Sequence, residues 1–99
     1  MIEIKQTDQF SKWIRELRDR TATARVLARI DRLSLGLAGD TKSVGGSIFE
    51  LRIDYGPGYR VYYTLRGNEL ILLLMGGDKS SQSRDITKAK MILAELKGK

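Results

Sequence analysis

Between Ile48 and Arg66 the chain reads IFELRIDYGPGYRVYYTLR, and side chains able to do chemistry recur at every second position. Glu50, Arg52 and Asp54 alternate with Phe49, Leu51 and Ile53. Arg60, Tyr62, Thr64 and Arg66 alternate with Tyr59, Val61, Tyr63 and Leu65. Side chains of a strand point to opposite faces with period two. These runs therefore read as two strands of a hairpin, one face apolar and the other polar. Tyr55-Gly56-Pro57-Gly58 supplies the turn, because proline fixes φ and glycine permits positive φ. The polar face gathers three arginines, two carboxylates and a tyrosine. A guanidinium donates paired hydrogen bonds in a fixed fork to phosphate or carboxylate oxygens, so this face points to anion handling. The same residues also have a purely structural use, with Arg52 and Arg60 pairing Glu50 and Asp54 across the strands.

Composition narrows the chemistry. The 99 residues contain no cysteine and no histidine. That removes disulfides, thiolate metal sites, the usual zinc ligand and the usual general base at neutral pH. No metal or cofactor is expected, and catalysis would fall to Lys, Arg, Tyr, Asp or Glu. The formal charge of +6 favours a polyanionic partner. A length of 99 residues with 41% apolar content fits one globular domain, residues 1–99. The N-terminus carries no apolar signal core and no run approaches membrane-spanning length, so a cytoplasmic protein with no membrane contact is expected.

The elements that must position the hairpin follow from periodicity. Ile2 and Ile4 alternate with Glu3 and Lys5, giving a short strand, and Thr7 or Asp8 can cap the helix after it. Phe10, Trp13, Ile14 and Leu17 fall on one face of that helix. A second helix is expected from about Ala22 to Leu35, with Val26, Leu27, Ile30, Leu33 and Leu37 as its buried stripe. Gly36 to Gly46 reads as a glycine-rich loop without the order of a phosphate-binding loop. Lys42 in it either approaches an RNA backbone or merely belongs to a flexible lead-in. After the hairpin, Gly67-Asn68 turns the chain into the apolar strand Glu69 to Met75, which should be buried on both faces. A polar loop, Gly76 to Gln82, then leads to a helix from about Arg84 to Lys97, with Ser83 as its cap. The order β-α-α-β-β-β-α makes an α+β fold: a small, mostly antiparallel four-stranded sheet with an N-terminal helical hairpin and a C-terminal helix.

Three segments taken together carry a family resemblance. They are F-E-L-R-I at Phe49–Ile53, G-P-G-Y-R-V-Y-Y at Gly56–Tyr63, and L-L-L-M-G-G-D-K-S-S-Q at Leu72–Gln82, followed by Asp85, Ile86 and Ala89. With these the chain resembles the RelE/ParE superfamily of bacterial toxins, and within it the HigB-like addiction-module killer proteins. The resemblance implies a RelE-like fold and the toxin of a type II toxin–antitoxin system. It implies a cognate antitoxin, often of helix-turn-helix type, as partner. RelE-like members cut mRNA on the translating ribosome, whereas ParE-like members inhibit DNA gyrase, and fold alone does not choose between them. A catalytically silent relative that only binds its antitoxin is a third possibility.

For the nuclease reading, the resemblance places a phosphate-binding arginine at Arg60 and a second basic residue at Arg52. It makes Lys79 the basic residue of the loop after the last strand, with Gln82 and Arg84 as nucleotide contacts. RNA cleavage without a metal needs a base for the 2′-OH, stabilisation of the charged phosphate, and an acid for the 5′-oxygen. No histidine or tyrosine follows the loop where some members keep one, so the resemblance assigns neither acid nor base. Glu50 shares the face with Arg52 and is the candidate base. Lys79 is the candidate acid, with neighbouring cations favouring loss of its proton. Tyr62 on the polar face is placed to stack on a base, and Arg66 adds a further RNA contact. Tyr59, Tyr63 and Trp13 are expected in the core.

Overall fold

Thr7 ends the first strand by becoming a helix cap. Its hydroxyl accepts from the Phe10 N–H at 3.1 Å and donates to the Leu74 carbonyl at 2.6 Å. The computed structural model describes residues 1–98. In it β1 (Glu3–Gln6) leads through this cap into α1 (Asp8–Glu16). Asp19 caps α2 (Arg20–Ser34) by accepting from the Thr21 and Ala22 N–H groups. These caps satisfy backbone donors that have no partner inside the helix. Four strands follow: β2 (Thr41–Gly45), β3 (Ile48–Ile53), β4 (Tyr59–Arg66) and β5 (Leu70–Asp78). A single 3-10 turn, Lys79–Ser81, then enters α3 (Gln82–Lys97).

The fold is α+β, as the periodicity implied, but the sheet has five strands in the order β1-β5-β4-β3-β2. β1 runs parallel to β5, and every other pairing is antiparallel. The added strand is β2, drawn from the segment read as loop. Thr41-Lys42-Ser43-Val44 has little apolar alternation because it is an edge strand with mostly exposed side chains. Backbone pairing with β3, not burial, makes it a strand. β5 also runs three residues beyond Met75, so Gly76, Gly77 and Asp78 belong to the sheet. Consequently Ser83 lies inside α3, and Asp78 caps the 3-10 turn by accepting from the Ser80 N–H at 2.8 Å.

The sheet carries a core on each face. Phe10, Val26, Ile30, Leu33, Leu51, Ile53, Val61, Tyr63, Ile71 and Leu73 pack between the sheet and α1–α2, with Trp13 and Tyr59 at their margin. Ile48, Tyr62, Leu74, Ala89 and Leu93 pack between the opposite face and α3. Full burial of one such Leu or Ile is worth about 1.5–3 kcal/mol. β5 serves both cores, as its unbroken apolar run implied. Alternation lets it do so, sending Ile71 and Leu73 to one core and Leu72 and Leu74 to the other. A bulge then breaks the alternation: Tyr62 faces Met75 but Tyr63 faces Leu73, so Leu74 is an extra residue and Met75 joins it on the α3 side. Two residues of the stripe expected for the second helix lie in the open instead: Leu27 within α2 and Leu37 beyond its end. The polar face of the hairpin is thus not an open face. α3 covers its middle and leaves open the end near the Tyr55–Gly58 turn, with Arg66 exposed at the far end of β4.

Candidate functional site

At that free end, Arg52 of β3 stands directly opposite Arg60 of β4. Two like charges in this position repel, so each needs an anionic neighbour or a ligand. They line a cleft of about 380 Å³ together with Asp40, Asp54, Lys79 and the Gly56-Pro57-Gly58 turn. Three of the four catalytic candidates therefore converge from three separate elements. Gly58 permits this closeness. Its φ is +82°, and a Cβ there would lie 3.3 Å from Arg60 Nη1 and 3.4 Å from Lys79 Cβ. The repeated glycines of the turn were the only sign of it in the sequence.

Arg52 is held from an unexpected side. Its partner is neither Glu50 nor Asp54 but Asp40, just before β2, with Nη2 2.8 Å and Nε 3.0 Å from Oδ1. Arg60 is held by backbone. Its Nη1 donates to the carbonyls of Gly58 at 3.0 Å and Tyr59 at 3.1 Å. Neutral carbonyls orient a guanidinium without cancelling its charge. Its side chain is 12% exposed, so the cation is mostly out of water yet open at one end.

Glu50 lies beneath Arg60 and does not reach the cleft. It is fully buried, with Oε1 4.0 Å from Arg60 Nε. Both of these atoms lack a hydrogen-bond partner. Its Oε2 accepts from the Tyr62 hydroxyl at 3.2 Å and from Gln82 Nε2 at 2.7 Å. A base that must touch a ribose cannot be sealed in this way, so the direct proton-accepting role expected for Glu50 does not fit the geometry. What the position supplies is orientation. One carboxylate meets the arginine on one side and, through Gln82, the start of α3 on the other. Gln82 directly follows the turn that carries Lys79.

Tyr62 also departs from expectation. It is fully buried in the α3 core and cannot stack on a base. Burial pushes its phenol well above the ordinary range, with the neighbouring Glu50 carboxylate adding to the shift. It is therefore a neutral hydrogen-bond donor to Glu50. Gln82 is spent on the same carboxylate. Arg66 ends β4, six residues beyond Arg60, which is roughly 20 Å along a strand. Lys42 is exposed on β2 in register with Glu50, and Arg84 is exposed on α3, but neither lines the cleft. Asp40 carries no signal in the sequence, and Asp54 is legible there only as a member of the hairpin's polar face. Asp54 lines the cleft and forms no salt bridge among the described residues.

β5 closes the back of the site. Gly77 faces Arg60 in register, and a Cβ on it would overlap the Asp85 carboxylate. A Cβ on Gly76 would overlap the Trp13 indole. The two glycines let α3 and α1 each approach the strand closely. A second cleft, of about 400 Å³, lies between those helices and mixes Lys12 and Lys88 with Glu16, Asp78 and Asp85. None of the candidate site residues lines it.

The sequence profile of a family described as Phage derived protein Gp49-like (DUF891) matches residues 12–97. That span includes all of the cleft. An uncharacterized protein of Haemophilus influenzae is 50% identical to the chain over 95 residues, which cover 96% of each protein.

Proposed function

The chain belongs to the phage-derived Gp49-like family, and from this premise we propose that it is a toxin of the RelE-like kind that cleaves mRNA on the ribosome and is held in check by an antitoxin. The observation that carries this reading is the convergence of Arg52, Arg60 and Lys79 on one cleft. Clustered cations with a mostly buried guanidinium suit a phosphodiester whose charge grows during reaction.

In the proposed step, the 2′-oxygen of the ribose attacks the adjacent phosphorus, and the bond from phosphorus to the 5′-oxygen breaks. Asp54, the cleft carboxylate without a salt bridge, takes the proton from the 2′-OH. Arg60 holds the non-bridging oxygens, and Arg52, steadied by Asp40, adds a second positive charge. Lys79 gives its proton to the departing 5′-oxygen. The products are a 2′,3′-cyclic phosphate and a free 5′-hydroxyl, and the proton count balances between Asp54 and Lys79. Glu50 keeps Arg60 and the Lys79 turn in register.

The test is mRNA cleavage mapping after brief induction of the wild type and of Arg60→Ala, with translation active or blocked. Translation-dependent cuts in coding sequence that fall about 100-fold or more in the variant are expected, the loss seen when a charge-stabilising donor is removed. Intact mRNA in growth-arrested cells would instead indicate a toxin that acts by binding, as a gyrase inhibitor does.

A further inference from the structure

We propose that Arg25, Arg29 and Arg32 form a second phosphate site, which holds the single-stranded RNA beside the cleavage cleft. The inference rests on the reading of that cleft as an RNA site. The three arginines sit at i, i+4 and i+7 of α2 and so share one helix face. With Ala28, Ile53 and Asp54 they line a recess of about 280 Å³. Asp54 lines the cleavage cleft as well, so the two hollows meet at this residue.

The recess keeps its positive charge. Arg29 donates from Nη1 to the Arg52 carbonyl at 2.6 Å. From Nη2 it donates to the carbonyls of Ala38 at 3.0 Å and Asp40 at 3.3 Å. It is fixed firmly, by neutral groups alone. Arg25 lies over the Tyr55 ring, 4.9 Å from its centroid, again with no carboxylate attached. Neither Arg25, Arg29 nor Arg32 forms a salt bridge among the described residues. The two hollows together present six cations and two carboxylates, Asp40 and Asp54. Asp40 is already paired with Arg52.

An acidic polypeptide could also satisfy guanidinium groups, since carboxylates and phosphates fit the same fork. Continuity with the cleft decides for RNA: a strand whose scissile phosphate lies at Arg60 must leave the cleft, and the recess is an unneutralised exit. Arg29 is a fixed positioning residue here, while Arg25 and Arg32 are the ligand-facing pair.

The test is binding of a short single-stranded RNA, 2′-O-methylated at every sugar and so resistant to 2′-OH chemistry, by the full chain over a salt series. Wild type, Arg32→Gln, Arg25→Gln/Arg32→Gln and the control Lys5→Gln/Lys12→Gln are compared, each checked for an unchanged unfolding midpoint. Loss of one phosphate contact should lower the slope of log K against log salt by about 0.7, in the arginine variants only. Equal change in the lysine control would reduce the effect to net charge and overturn the site. An unchanged slope in both arginine variants, or no RNA binding by wild type, would overturn it too. Displacement of the RNA by polyglutamate from wild type, but not from the double arginine variant, would reassign the recess to an acidic protein partner. A wild type that binds this RNA with the expected slopes yet leaves cellular mRNA intact would refute the cleavage reading and leave the recess standing.

Discussion

Arg60 and Glu50 form a pair whose members do different work. Glu50 is fully buried and Arg60 nearly so, and their facing atoms stand 4.0 Å apart. Removing one member of a buried pair strands the other charge, at a cost on the order of 3 kcal/mol. Arg60→Ala should therefore lower stability as well as activity. Glu50→Gln/Arg60→Ala should recover much of the stability and none of the activity. Chemical denaturation of both single variants, Arg60→Ala and Glu50→Gln, and of the double variant separates these effects, and additive losses would show that the charges are not coupled. A second residue-scale pair lies away from the cleft. The Tyr55 hydroxyl donates to Asp19 Oδ2 at 2.9 Å. That bond is the main cause that lowers the Asp19 carboxyl below its ordinary 3.8, and also the main cause that raises the Tyr55 phenol above 10.0. Folding thus favours ionised Asp19 and neutral Tyr55. The contribution from Asp19 is present above pH 3.8 and lost as pH falls through the lowered value. The contribution from Tyr55 is present below pH 10.0 and lost as pH rises through the raised one. Unfolding midpoints measured across pH should show both limbs in wild type, and Tyr55→Phe should flatten both.

At the scale of elements, β5 is the member on which everything else is set. Its alternation feeds both cores, its bulge places Leu74 and Met75 together under α3, and its two glycines then accept a helix on either side. A methyl at Gly76 has no room beside Trp13, whose ring also meets Tyr59 edge-on at 6.3 Å. Gly76→Ala should cost about 1–3 kcal/mol by overpacking. Thermal unfolding measures it, and a simultaneous Trp13→Leu should return part of the loss, while an unaltered midpoint would mean that α1 can shift at no cost. The bulge and the close approaches were hidden in a segment that reads as apolar strand followed by polar loop. Alternation detects burial, whereas a bulge is a mismatch between two strands and appears in neither alone.

On the scale of the whole molecule, the two-sided core decides which charges remain usable. α3 lies over the polar face of the hairpin and takes Glu50 and Tyr62 out of water, while Arg52 and Arg60 stay open at one end. Helix α2 closes the other face and brings its own arginines to the same end of the sheet. Excess positive charge thus collects where β3 and β4 meet their turn. Among the described residues no helix is long and apolar enough to cross a membrane. The exposed Leu35 and Leu37 lie just beyond the end of α2.

By itself the sequence determined the α+β class, the element types apart from β2, and the hairpin with its turn. Period-two and period-3.6 patterns report burial directly, and the G-P-G-Y-R run leaves few conformations for the turn. It did not determine β2, whose polar residues acquire strand structure only by pairing with β3. Nor could it tell which polar residues of one strand face would be covered. Glu50 and Arg52 look equivalent at alternate positions, yet one lies under α3 and the other at the rim. The tertiary structure alone decided that difference, because solvent access depends on what packs above a strand and not on the strand's own pattern. It also decided the partner of Arg52, since Asp40 comes from a segment with no periodicity and reaches the arginine only once β2 has joined the sheet.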